Sequence, residues 1–310
     1  MFPLKRFTLL LLLNVALTAC GGGSDSSAGS APPPVSTTIS WQQQDSMNLP
    51  AGMTFYKGQK SGSTTFSAWY LKLEPSHSQL ALTPVLLSPA KTLDQLTDPH
   101  LLGAINGGFF GGDQPYSAAI HGTELFSKNI AVLNRYNKSY PVMRALFWQD
   151  TEGRSEVGWI YHFGDQVTDI RKYDQPLPYQ RNSDTPLPEP DAGDGQQLPA
   201  LRMAIGGGPV LIQHGAVILS YDEEIFWGSG VELNDTRPRS AIGYTAQGDI
   251  LLFVTNAMTL SELPDHLLTL GVEGAINLDG GGSSALRVLD ETVFNQYRSV
   301  PIALTITEAQ

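Results

Sequence analysis

The chain has 310 residues, 41% of them apolar, and a formal charge of −11 from 19 basic and 30 acidic residues. That length suffices for one large domain with a sizeable core. The acidic balance is a poor match for nucleic acid or an anionic membrane face, and it makes any basic residue in a glycine-lined site informative. The single cysteine, Cys20, leaves the folded part without a disulfide or a thiolate metal site.

The N-terminus reads as a targeting segment. Lys5 and Arg6 precede a short apolar run from Phe7 to Leu17, too short to span a bilayer as a mature helix. It ends in Leu17-Thr18-Ala19-Cys20, which resembles a bacterial lipobox. Residues 1–20 are therefore expected to be a lipoprotein signal peptide, with Cys20 as the lipid attachment point. Gly21 follows, not an aspartate, so the expected location is the bacterial cell envelope, lipid-anchored at the outer membrane. Removal of Lys5 and Arg6 takes the charge from −11 to −13. Residues 21–40 are rich in Gly, Ser, Ala, Pro and Thr and read as a disordered tether. Residues 41–310 read as one domain.

Within it, turn residues are dense and short apolar runs recur. Ala68–Leu73 and Ile250–Thr255 read as strands. Lys91–Leu102 is a helical candidate, and Leu260–Leu270 is the clearest one. There Leu260, Leu263, Leu267, Leu268 and Leu270 fall at helical spacing, Thr259 and Glu262 fit a capping box, and Gly271 fits a C-terminal stop. Pro264 restricts the start to the first turn. Residues 174–199, rich in Pro, Asp, Gly and Gln, read as a surface insertion. The fold class expected is α+β: a single domain with a strand-rich mixed or antiparallel sheet core and a few packed helices.

Four segments carry chemistry. Ile105-Asn106-Gly107-Gly108-Phe109-Phe110 comes first, then Ile205-Gly206-Gly207-Gly208-Pro209, then Arg237-Pro238-Arg239-Ser240-Ala241-Ile242-Gly243. The last, Ala275-Ile276-Asn277-Leu278-Asp279-Gly280-Gly281-Gly282-Ser283-Ser284, delivers one carboxylate from a strand to a three-glycine turn. Glycines let a ligand approach backbone N–H groups. Alike in chemistry and far apart in sequence, the segments suggest one composite site. Gly280–Ala285 matches G-x-G-x-x-A, but strand-like sequence follows where a nucleotide-binding unit needs a helix. Gly281–Ala285 resembles a nucleophile elbow, yet no histidine follows Ser283. His121 and His214 lie near the patches, although a satisfied loop histidine is the plainer reading of each.

Together and in this order, spanning roughly residues 100–290, the four segments resemble the phosphodiester glycosidase domain family. Ser240, the Thr255–Met258 stretch and the 174–199 insertion depart from the usual pattern. The resemblance implies hydrolysis at the anomeric carbon of a sugar joined through phosphate, acting on envelope or extracellular phosphoglycans or glycosyl phosphodiesters. Protein partners stay undefined, contact with the membrane runs through the anchor only, and no cofactor or metal is expected. A departing phosphate is a stable anion, so such a bond needs a cation on the phosphate more than a second acid.

Asp279 is then the expected base for water or the nucleophile, and Arg239 the expected phosphate ligand through its planar fork, with Arg237 second. Asn106 is the third catalytic candidate, binding a sugar hydroxyl or orienting the acid. The substrate-binding candidates are Gly107, Gly108 and Phe109; Gly206, Gly207 and Gly208; and Asn277, Gly280, Gly281, Gly282, Ser283 and Ser284. Phe110 offers a second ring. A second carboxylate, if used, is Asp113 or Glu124. Each has a plainer competitor: a turn cap for Asp279, a buried ion pair for Arg239, a left-handed turn for Asn106, core packing for the phenylalanines. Two other functions fit the same residues: a non-catalytic phosphoglycan-binding lipoprotein, and a metal-dependent phosphodiesterase using Asp279 and Asp113.

Overall fold

The computed structural model describes residues 38–74 and 79–308. The signal segment, Cys20 and nearly all of the tether lie outside them. Strand follows strand through the described chain, and every ladder is antiparallel. An eight-stranded sheet is built around Ala68–Leu73, Ile250–Met258, Arg237–Thr245 and Val272–Asn277, in that spatial order. A seven-stranded sheet centres on Ser155–His162, Arg144–Asp150 and Leu201–Gly206. A five-stranded sheet contains Leu286–Val288, Leu101–Asn106 and Val300–Glu308.

The near-continuous apolar run Ile250–Val254 is explained by burial on both faces. Leu252 and Val254 enter the main core, while Leu251 and Phe253, one residue out of phase, enter a second core on the other side. The main core draws on all three sheets: Leu71 and Ile276 from the first, Phe147 and Ile205 from the second, Ile105 and Leu304 from the third.

The α+β expectation is overturned. Among the described residues the only α-helix is Leu263–Leu268, six residues long, and the architecture is an all-β stack of sheets. The helix signals at 260–270 are present but short-ranged. The Thr259–Glu262 capping box forms, with both reciprocal backbone bonds at 3.2 Å. Pro264 sits in the first turn, Gly271 ends the segment at φ +77°, and Leu260, Leu263 and Leu267 are buried. Two turns satisfy that apolar stripe. The Lys91–Leu102 candidate is no helix: a strand runs through Lys91, a single 3-10 turn covers Leu93–Gln95, and a strand starts at Leu101. Its Thr92–Gln95 capping box supports one turn, and Pro99 prevents another. The 174–199 stretch has almost no regular structure but is fastened down. Tyr179 is buried against Tyr140, with ring centroids 6.0 Å apart, and the Tyr173 hydroxyl donates to Asp191 O at 2.9 Å.

Candidate active site

The Val272–Asn277 strand leaves the sheet at Leu278 and opens into the Asp279–Ser284 turn, whose Gly281 takes φ +60°. Here the first and third sheets meet around a cleft of about 460 Å³. Asp279 and Asn277 line it, with Gly280–Gly282, Phe109, Phe110 and three arginines, Arg237, Arg239 and Arg298. Asp279 is the only carboxylate among these lining residues.

Asp279 is 8% exposed. Its Oδ2 accepts from Arg298 Nη2 at 2.7 Å and its Oδ1 from Gly280 N at 3.0 Å. Burial pushes its carboxyl above the ordinary carboxylate range, against the opposing effect of Ser283, Arg298 and the Gly280 N–H. Arg298 is fixed in turn. Its Nε donates to Ser283 Oγ at 2.6 Å, and its guanidinium lies 4.5 Å from the centre of the Phe110 ring. Half of the side chain, 52%, stays exposed. Sequence reasoning missed Arg298. It sits in the ordinary connection Gln296-Tyr297-Arg298-Ser299 between two strands, and its only signal is a cation in a chain poor in cations.

Arg239 is placed differently from the expectation. It is 1% exposed, and the Nε–Nη2 edge meant for phosphate is already used. Nε donates to Met258 O at 3.2 Å; Nη2 donates to Glu232 O at 3.1 Å, Asp235 O at 2.9 Å and Asp235 Oδ1 at 2.7 Å. Burial lowers its proton affinity, and Asp235 opposes that. The other Asp235 oxygen pairs with Arg237, so one carboxylate braces both guanidiniums at the cleft wall.

Asn106 lies beneath the site, fully buried. Its Nδ2 donates to Asp279 O at 2.7 Å and Gly107 O at 3.1 Å; its Oδ1 accepts from Ser240 Oγ at 2.7 Å and Ala285 N at 3.1 Å. Two donors and two acceptors exhaust the amide. Asn106 therefore positions the Asp279 backbone and has nothing left to offer a substrate. Asn277 is the opposite case. Its Nδ2 donates to Gly208 O at 2.9 Å, which orients the amide, and its buried Oδ1 has no partner. An unsatisfied acceptor on the cleft wall suits a hydroxyl donor. Ser283 serves Arg298, while the buried Ser284 hydroxyl is unpartnered.

The glycines divide into two classes. Gly280–Gly282 face the cleft. The others are close-packing positions: a Cβ on Gly107 would lie 2.6 Å from Ile302, on Gly108 2.3 Å from Ser117, on Gly206 2.2 Å from Asn129, on Gly207 2.3 Å from Asn277 O, and on Gly208 2.5 Å from Glu224. Gly107, Gly108, Gly206 and Gly208 thus let neighbouring side chains and backbone approach and do not line the cleft. Phe109 does, and packs on Phe226 with ring centroids 5.2 Å apart. Asp113 and Glu124 are exposed and elsewhere: Asp113 borders a separate groove of about 790 Å³, and Glu124 pairs with His121 in a hairpin. His214 occupies a left-handed turn position away from the cleft. No cluster of three His, Cys, Asp or Glu side chains suited to a metal occurs among the described residues.

Comparison with known proteins identifies the family and related folds. A model of the phosphodiester glycosidase family matches residues 100–307, which include every residue of the cleft. No curated protein sequence matches the chain. A hypothetical protein from Synechocystis has a similar structure, with TM-score 0.54 and 19% identity over 90% of this chain; the chain spans 64% of that protein's length. The zebrafish N-acetylglucosamine-1-phosphodiester α-N-acetylglucosaminidase catalytic domain, auto-inhibited by its pro-peptide, gives TM-score 0.53 and 16% identity, covering 88% of this chain and 89% of that one.

Proposed function

The chain belongs to the phosphodiester glycosidase family, and from that premise we propose that it hydrolyses a glycosyl–phosphate linkage at the anomeric carbon. The observation that carries the reading is one buried carboxylate sharing a cleft with three guanidiniums. Three cations suit a phosphodiester, whose phosphate departs without a second acid to protonate it. Asp279 accepts a proton from water while the water oxygen bonds to the anomeric carbon. The carbon–oxygen bond to phosphate breaks, and its electron pair leaves with the phosphate monoester, held by Arg298 and Arg237, while Arg239, occupied by Asp235 and backbone carbonyls, adds only its charge from the cleft wall. The same geometry permits Asp279 to attack the carbon itself, with water cleaving the glycosyl ester afterwards. Inversion of the anomeric centre marks the first route and retention the second. Asn277 Oδ1 takes a sugar hydroxyl, and Asn106 acts only through the Asp279 backbone.

The substrate class proposed is a phosphoglycan or glycosyl phosphodiester of the cell envelope or its surroundings. The test incubates the folded chain with glycosyl phosphodiesters and measures reducing sugar. Asp279→Asn is expected to lower turnover at least a thousandfold. Unchanged turnover would remove Asp279 from the mechanism, and binding without product in both proteins would make the chain a phosphoglycan-binding protein. Product oxygen labelled from solvent water belongs on the sugar; label on phosphate would instead indicate phosphodiesterase chemistry. That rival pairs Asp279 with Asp113, which borders a different hollow. The Leu17–Cys20 run supports a lipid anchor at Cys20 on the envelope. Cys20→Ser is expected to move the protein from the membrane to the soluble fraction, and persistence at the membrane would refute the anchor.

A further inference from the structure

A second cavity, of about 250 Å³, adjoins the cleft and shares Phe109, Phe110, Ser229 and Val231 with it. Two further arginines, Arg135 and Arg144, line its far side together with Phe226. Arg144 opens the Arg144–Asp150 strand of the second sheet and is 6% exposed. Its guanidinium stacks on Phe226, 4.1 Å from the ring centre, and its Nε and Nη1 are buried without a hydrogen-bond partner. A buried charged donor left unpaired keeps its full desolvation penalty, so such a group calls for an acceptor.

Among the described residues none supplies one. Glu224 is the nearby acid, and it is committed: Oε1 accepts from Val210 N at 2.8 Å, Ser220 Oγ at 2.7 Å and Trp159 Nε1 at 3.2 Å, and Oε2 accepts from Ala145 N at 3.0 Å. Among the described residues no carboxylate forms an ion pair with Arg144. Arg135 is half-buried on the Trp227 ring at 5.0 Å and donates to Trp227 O. Two guanidiniums thus line one small cavity, and the charge of Arg135 disfavours that of Arg144. Burial, with Arg135 adding to it and Glu224 opposing, brings Arg144 down to about 10, still charged at neutral pH. An anion in the cavity would satisfy the orphaned donors and relieve the like-charge repulsion at once.

We infer that this cavity is an oxyanion subsite, in which Arg144 binds a carboxylate or phosphate ester carried by the substrate beyond Phe109 from Asp279. The claim that the occupant belongs to the substrate rests on the hydrolase reading; the claim that an oxyanion binds does not. In that reading the substrate carries two anionic groups, the scissile phosphodiester at Arg298 and a second one at Arg144. A neutral glycosyl phosphodiester would fill only the first.

The test is a nuclear magnetic resonance titration of protein labelled with ¹⁵N-arginine, following the Arg144 Nε–H signal, identified by its loss in Arg144→Met. Sodium acetate and inorganic phosphate are the probes. A saturable shift with either is the expected result; a response to acetate alone assigns a carboxylate, and to phosphate alone a phosphate ester. No shift with either overturns the subsite. Calorimetry with the responding anion then compares the wild type with Arg144→Met/Glu224→Gln, which removes the buried guanidinium and the buried carboxyl together. At least tenfold weaker binding is expected, and affinity within twofold of the wild type overturns the assignment. Repeating the titration on Asp279→Asn separates the two readings. Failure of the hydrolase reading leaves the Arg144 shift in place, whereas failure of the subsite leaves turnover in place.

Discussion

The proposed catalytic carboxylate is held in an environment that does not favour its charge. Asp279 is buried enough for desolvation to outweigh one guanidinium, one hydroxyl and one backbone N–H. A general base gains from a raised proton affinity as long as it is ionised at the working pH. Ser283 and Arg298 are the side chains that oppose the rise, and Arg298 is the one that brings a charge. Arg298→Gln is expected to lower kcat/KM about 10²- to 10³-fold through the lost phosphate cation. It also moves the acidic limb of the pH–rate profile to higher pH, because the opposing charge at 2.7 Å is gone. A merely structural Arg298 would lower the rate without moving the limb. The stability side has the reverse sign to a normal aspartate. Folding raises this carboxyl, so its stabilising contribution is complete below the unfolded value and is lost as pH rises through the folded one. Asp279→Asn therefore melts no lower than the wild type at pH 7, and the difference closes under acid.

At the scale of elements, what the sequence showed clearly was local. The Ile250–Thr255 and Ala68–Leu73 strands, the Thr259–Glu262 cap and the Gly271 stop are all where short-range pattern puts them. The number of helices was misjudged because a capping box marks where a turn begins and says nothing about where it ends. Thr92–Gln95 carries the same signal for a single 3-10 turn. Convergence of three of the four segments was legible too, since Asn277, Asp279, Arg237, Arg239 and Phe109 share one cleft, whereas the Ile205–Pro209 segment does not line it. What could not be read was which atom of each residue faces the ligand. Asn106 and Asn277 both precede functional turns and look equivalent as letters. One is exhausted by Asp279, Gly107, Ser240 and Ala285, and the other keeps a free acceptor. The glycines deceived in the same way: the missing side chain admits Ile302 at Gly107, Asn129 at Gly206 and Glu224 at Gly208, and not a ligand. Arg298 and Arg144 were invisible because no local motif surrounds them. Each gains its meaning only from partners at least fifteen positions away, as with Arg298 and its partners Ser283 and Asp279.

At the scale of the whole molecule, the proposed site exists only while the three sheets are docked. Asp279 and Arg239 come from the first sheet, Phe109 and Arg298 from segments flanking third-sheet strands, and Arg144 from the second. Beneath them one core interleaves residues of all three, with Ile276, Ile205 and Leu304 in a single cluster. No sheet can leave without exposing the apolar faces of the other two, so the site has no route to local melting that spares the fold. Activity and far-UV circular dichroism should then be lost at the same urea concentration. Leu304→Ala, at a fully buried position on the Val300–Glu308 strand and outside the cleft lining, provides the perturbation. It should cost about 2–5 kcal/mol and move both midpoints down together, leaving KM in native buffer near the wild-type value. If activity disappears well before the circular dichroism signal in either protein, the cleft opens on its own, and the docking of three sheets does not hold the catalytic residues in place.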